Sequence, residues 1–97
     1  MRTVNREDVG KIARAVSDPV RLEILSRIAR CPEGEFACAD FRTVFDLTPA
    51  TISHHIKELT AVELIEARRD GKFSLYRANK ARWAAYLREL KKLVPED

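Results

Sequence analysis

The sequence predicts a mainly α-helical fold with one small β-hairpin, in the order of four helices, two strands and a final helix. Three features predict it. From Thr48 to Leu59, Ile52, Ile56 and Leu59 recur at i, i+4 and i+7 and form one apolar stripe. Residues 64–69 and 73–78 then read as two strands joined by Asp70-Gly71-Lys72, a tight-turn signal. Segments near both ends carry apolar residues at helical spacing. A helix followed directly by a basic hairpin is the order of a winged helix-turn-helix.

Taken in order, residues 7–16 place Val9, Ile12, Ala13 and Val16 on one face of an amphipathic first helix. Asp18-Pro19 marks the next start, since Asp caps a helix well and Pro suits its first position. This second helix should run to about Arg30, with Leu22, Ile24, Leu25, Ile28 and Ala29 in the core. Cys31-Pro32-Glu33-Gly34-Glu35 breaks it. A short third helix is expected from about Ala37 to Phe45, with Phe41, Val44 and Phe45 facing inward. Thr48 can cap the fourth, which Pro49 begins and which should end near Ala61. Asn79 can cap the last, whose Trp83, Leu87, Leu90 and Val94 fall at i, i+4, i+7 and i+11.

Ninety-seven residues fit one domain (1–97), with the recognition helix at about 49–61 and the wing at about 65–78. The 18 Lys and Arg against 15 acids leave a net charge of +3, too mild to identify a nucleic-acid binder alone. Placement says more. The outer face of the recognition helix carries Ala50, Thr51, Ser53, His54 and Lys57, short or polar groups suited to the major groove. Arg68, Arg69, Lys72 and Arg77 fall in or beside the hairpin, where a wing meets phosphates. No apolar run approaches the length that crosses a bilayer, and the N-terminal segment lacks a signal-peptide core, so a cytoplasmic protein with no membrane partner is expected.

With these residues identified, the chain resembles the ArsR–SmtB family of bacterial winged-helix repressors over roughly residues 12–86. Ser17 to Leu25 is similar to the family's ADPTRLRIL signature, and Thr48 to Leu59 to SQPTVSHHLKVL. Leu64-Ile65, Arg68 to Lys72 and Tyr76 resemble the GLV…RREGR…YY wing. The resemblance implies a homodimer that covers operator DNA and leaves it when an inducer binds; the first and last helices, each with an apolar face outside the winged core that needs cover, are the expected pairing surface. Carried over by position, Thr48, Pro49, Ala50, Thr51, Ser53, His54 and Lys57 face double-stranded DNA, with Thr51, Ser53 and His54 at base edges or adjacent phosphates. Arg68, Arg69, Lys72 and Arg77 then contact the backbone or enter the minor groove, while His55 is a packed or phosphate-facing ring.

The family's sensor residues are largely replaced. Metal-sensing relatives carry Cys-x-Cys at the start of the third helix; Ala37 and Ala39 occupy those positions here, and Cys38 lies between them. Thiophilic arsenic or antimony usually takes three thiolates, whereas this chain has Cys31 and Cys38. Residues 81–92 hold no His, so the family's last-helix metal site is not expected, and neither a metal nor a cofactor is implied. Cys31 and Cys38 form a candidate thiol sensor, Cys38 gaining from a helix N-terminus; the plainer reading makes both small buried hydrophobes.

The function expected is a sequence-specific, dimeric transcriptional repressor that leaves its operator on an effector or thiol signal. The alternative is a winged-helix interaction module without DNA readout. That alternative expects acids on the exposed face of the recognition helix, where Glu58 alone stands beside Lys57. An enzyme is not expected: paired carboxylates, a nucleophile–base spacing and a Gly-rich phosphate loop are all missing, with three glycines in the chain.

Overall fold

The computed structural model describes residues 3–31, 36–37 and 46–96. The first helix, α1 (Arg6–Ala15), starts on a capping box. Asn5 Oδ1 accepts the Asp8 N–H at 2.8 Å, and Asp8 Oδ2 accepts the Asn5 N–H at 3.1 Å. Its buried face is Val9, Ile12 and Ala15. Ala13, expected inside, is exposed, because the stripe follows the i+3 step at this end.

The second helix, α2 (Pro19–Ala29), has Pro19 at its first position, and Asp18 accepts the Val20 and Arg21 N–H groups at 2.8 and 3.2 Å. Ile24, Leu25 and Ile28 are buried as the periodicity requires. Leu22 is a correction: at 41% exposure it lies off the core, and with the half-buried Ala29 it lines a surface cavity.

Ala37, expected to open a third helix, belongs instead to a two-residue strand, β1 (Phe36–Ala37), whose backbone pairs with β3. The rest of the expected third helix, with Phe41, Val44 and Phe45, lies outside the described residues. The recognition helix, α3 (Pro49–Ala61), keeps its expected bounds. Its end is a Schellman motif: Leu64 N–H donates to Leu59 O at 3.1 Å and Glu63 N–H to Thr60 O at 2.9 Å. Glu63 takes the left-handed conformation at φ 63°, a position usually given to Gly.

Strands β2 (Ile65–Asp70) and β3 (Phe73–Ala78) form the antiparallel hairpin, with Gly71 at φ 61° in the loop. With β1 on the far side of β3, the sheet order is β1-β3-β2, three strands where two were read from the sequence. The last helix, α4 (Lys80–Leu93), is capped by Asn79, whose Oδ1 accepts the Arg82 N–H at 3.0 Å. The most buried side chains, Ile12, Ile24, Ile28, Leu59, Leu64 and Ile65, come from α1, α2, α3 and the start of the hairpin.

The inward face of α4 is Arg82 and Tyr86. Trp83 and Leu90 are half-buried, while Leu87, Leu93 and Val94 are exposed, so the apolar stripe read from the sequence is only partly covered. Arg82 is 7% exposed and joins three elements. Its Nη2 lies 3.8 Å from Asp8 on α1 and 3.6 Å from Glu63, and its Nε donates to Val62 O at 3.2 Å. Its Nη1 is buried and has no hydrogen-bond partner among the described residues. No helix among the described residues is long and apolar enough to cross a membrane.

Candidate nucleic-acid interface

The recognition helix divides as its spacing dictates. Ile52, His55, Ile56 and Leu59 are buried. Ala50, Ser53, His54 and Lys57, at i, i+3, i+4 and i+7, are exposed on the opposite side. Thr48 and Pro49 are exposed at its start, and Thr51 is half-buried. Thr48 Oγ1 accepts the Thr51 N–H at 3.2 Å, and the two hydroxyl oxygens lie 2.9 Å apart. Two hydroxyls sharing one hydrogen bond leave one O–H to donate outward, beside the positive end of the helix dipole. This end of α3 can therefore donate to an anion such as a phosphate.

The helix is held from behind by contacts the sequence pattern does not disclose. His55 is 7% exposed, and its Nδ1 accepts a hydrogen bond from Arg21 Nε at 3.2 Å. Arg21 Nη1 donates to Ala15 O at 2.9 Å, so this side chain connects the end of α1, the first turn of α2 and the middle of α3. Burial lowers the His55 pKa below its usual 6.5; the Asp18 carboxylate works against this, and the charges of Arg21 and His54 add to it. The ring is thus neutral, with Nδ1 as acceptor and the proton on Nε2. Asp18 is itself held below the ordinary carboxylate range, chiefly by the Arg21 N–H, with burial opposing and the Val20 N–H, His55 and Arg21 assisting. Arg21 and His55 are 34 positions apart, and a helical stripe reports only neighbours on its own helix.

The hairpin cations separate onto two faces. The register pairs Glu66 with Arg77, Arg68 with Leu75 and Arg69 with Ser74. Because side chains alternate, Arg69 shares its face with the buried Ile65 and with Tyr76 and Ala78, which pack on the core. Arg68 and Arg77 project from the other face. All four wing cations, Arg68, Arg69, Lys72 and Arg77, are exposed. Arg77 Nη2 pairs with Glu66 Oε2 at 3.1 Å across the strands. Such an exposed pair contributes about 1 kcal/mol or less, so a phosphate can take the carboxylate's place. The reading helix and hairpin are in direct contact, α3 packing on β2.

Of the two cysteines, Cys31 is half-buried just beyond α2, its N–H donating to Ile28 O at 3.3 Å. Cys38 lies outside the described residues. Among the described residues, no three His, Cys, Asp or Glu side chains gather where they could hold a metal ion.

Comparisons with known proteins agree with this architecture. A family model described as a helix-turn-helix domain matches residues 16–68. The arsenical resistance operon repressor of Staphylococcus xylosus is 36% identical over 73 residues, covering 75% of this chain and 67% of the relative. An ArsR-like transcriptional regulator from Rhodococcus sp. RHA1 superposes with a TM-score of 0.79 at 25% identity, covering 90% of this chain and 79% of the other. A homodimeric winged helix-turn-helix DNA-binding domain from Mycobacterium bovis, solved by solution NMR, has a TM-score of 0.69 at 26% identity over 90% of this chain and 82% of its own. A reading helix with one packed and one polar face, a basic hairpin against it, and these relatives agree: the chain belongs to the ArsR family of winged helix-turn-helix transcriptional regulators, which are not enzymes.

Proposed function

We propose that the protein is a homodimeric repressor in the cytoplasm, a single DNA-binding domain that covers operator DNA and leaves it on an effector or thiol signal. The observation that carries this is the exposed face of α3, where Ala50, Ser53, His54 and Lys57 stand on a helix fixed from behind by Ile52, His55, Ile56 and Leu59. Thr51, Ser53 and His54 read base edges or hold adjacent phosphates; Thr48, Pro49, Ala50 and Lys57 border them. Arg68, Arg69, Lys72 and Arg77 bind the backbone. The curated relative is named a repressor, and the Mycobacterium bovis domain is described as homodimeric, which supports both parts of the reading. Dimerisation uses the first and last helices. On the last, Leu87, Leu93 and Val94 are exposed and need cover; the buried stripe of α1 is already covered within its own protomer. Two copies related by a two-fold axis then present two reading helices to a two-fold operator.

The test is a binding titration of the full chain against an operator selected from random duplexes, and against random duplex itself. His54→Ala should lose about 1–3 kcal/mol on the operator and little on random DNA. Arg69→Ala should weaken both alike and flatten the salt dependence by about one phosphate contact. Equal loss on both duplexes for His54→Ala removes that residue from base reading. Failure to prefer any selected sequence overturns the function.

A further inference from the structure

A cavity of about 290 Å³ opens between α2, the base of the hairpin and the first turn of α4. Its walls are apolar: Leu22, Leu25 and Ala29 from α2, Leu64 and Ala78 from the hairpin ends, and Trp83 from α4. Three polar residues complete the lining: Ser26, Asn79 and Lys80. The size is near the lower end of small-molecule sites, roughly 300–1,000 Å³, and suits one ring or a short chain.

The polar groups have one sign. Among the described residues that line it, none is acidic and Lys80 is the cation. Asn79 Oδ1 is already engaged by the Arg82 N–H, so the side-chain amide has its N–H₂ donors left to offer. These donors stand at the start of a fourteen-residue helix, the positive end of its dipole. A lining that joins apolar walls to amide donors and one cation matches a molecule with an apolar body and one anionic head.

We propose that this cavity binds an aryl or short alkyl monocarboxylate, with its hydrocarbon part against Trp83, Leu22 and Leu25 and its carboxylate at Lys80 and Asn79. The proposal rests on the repressor reading for its consequence: the acid is the effector. The geometry supplies a route. Asn79, Lys80 and Trp83 line the cavity, and the neighbouring Arg82 holds Val62 O at the end of the reading helix. A ligand seated between α2 and α4 favours an arrangement in which α4 stands away from α2 and loads that contact. It releases DNA only to the extent that it binds this arrangement better than the DNA-bound one.

Trp83 is the chain's sole tryptophan, so its fluorescence reports the cavity directly. The full chain is titrated with phenylacetate and with the neutral phenylacetamide, using wild type, Lys80→Met and Ala29→Phe, each checked for helical content by circular dichroism. Operator affinity is measured in the same solutions. Phenylacetate should give a saturable change at about tenfold lower concentration than the amide, as one charge-assisted contact predicts. Lys80→Met should erase that difference, Ala29→Phe should abolish both responses, and the acid should weaken operator binding of wild type alone. Equal binding of acid and amide overturns the anion site. So does a Trp83 signal that ignores both probes and instead follows dilution, since a second copy then fills the cavity. Binding of the acid with unchanged operator affinity overturns its role as effector. If the acid binds but no operator is recognised, the site stands and the repressor reading falls; if DNA binds and the acid does not, the reverse holds.

Discussion

Replacing Arg82 by Met keeps most of the apolar volume of a buried stem and deletes its guanidinium. The largest loss is the hydrogen bond from Nε to Val62 O at 3.2 Å, donated by a charged group and worth about 1.5–3 kcal/mol. The ion pairs contribute less. They are long, 3.8 Å to Asp8 and 3.6 Å to Glu63, and the Glu63 side chain is 44% exposed, so solvent screens it and the two together add about 1 kcal/mol or less. One term opposes: Nη1 is buried without a partner among the described residues, and removing it recovers a desolvation cost on the order of 1 kcal/mol. The net expectation is a loss of about 2 kcal/mol. With a urea slope of about 1 kcal/mol per molar for a small domain, the unfolding midpoint should fall by about 2 M at fixed protein concentration. Arg82→Lys should recover less than half, because an ammonium cannot span Val62 O and both carboxylates as the planar fork does. A midpoint shift below about 0.5 M for Arg82→Met, or a changed slope, would refute this account of how α4 is fastened to the reading helix.

Three further outcomes follow from local geometry. Gly10 lies mid-helix on the exposed side of α1, where an added Cβ meets nothing within 4 Å, so Gly10→Ala should stabilise by about 0.5–1 kcal/mol; Gly71, at φ 61°, has the same space but the wrong backbone, and Gly71→Ala should cost about 1 kcal/mol. Thermal melts of the two variants should move in opposite directions. Because the His55 pKa is lowered in the folded state, the unfolded chain binds the proton first: stability is complete above about pH 6.5 and is lost as pH falls below it, levelling once the folded ring titrates. His55→Gln, which keeps an acceptor for Arg21, should remove that slope, while the loss due to the lowered Asp18 pKa begins only below 3.8; an unchanged slope near pH 6 in the variant would exclude His55 as its source. Thr48→Val removes the cap of α3 at nearly constant shape and should cost about 1 kcal/mol, seen as a lower urea midpoint.

The elements legible in the sequence are those whose cause is local. Asp18-Pro19, Thr48-Pro49 and Asn79 each cap a helix where the residue type says they should. Gly71 supplies the left-handed residue the hairpin needs. The division of α3 into a buried Ile52/Ile56/Leu59 face and an exposed Ser53/His54/Lys57 face follows from its period alone. What escaped depends on partners far along the chain. Leu22 reads as core because an apolar residue in an amphipathic helix usually is, yet its side of α2 borders a cavity. Ala37 reads as helix, but a two-residue strand has no periodicity to detect and exists because β3 offers its edge to Phe36 and Ala37. Arg82 carries no mark in the helical spacing, and its burial follows from acceptors on α1 and at the end of α3. The wing cations read as one patch; strand register alone assigns Arg69 and Arg77 to opposite faces.

The Schellman turn at Val62-Glu63-Leu64 has a bearing on motion. It is the whole connection between α3 and β2, and Leu64 is 1% exposed. A glycine at position 63 could swing through many backbone angles, whereas glutamate in a left-handed conformation has few others to visit. Reading helix and wing are therefore joined stiffly at this turn, as the two arms of one lever. In the proposed dimer, letting go of DNA would re-aim two such levers and shift the spacing of their tips away from the one-turn groove repeat of about 34 Å, each tip left intact.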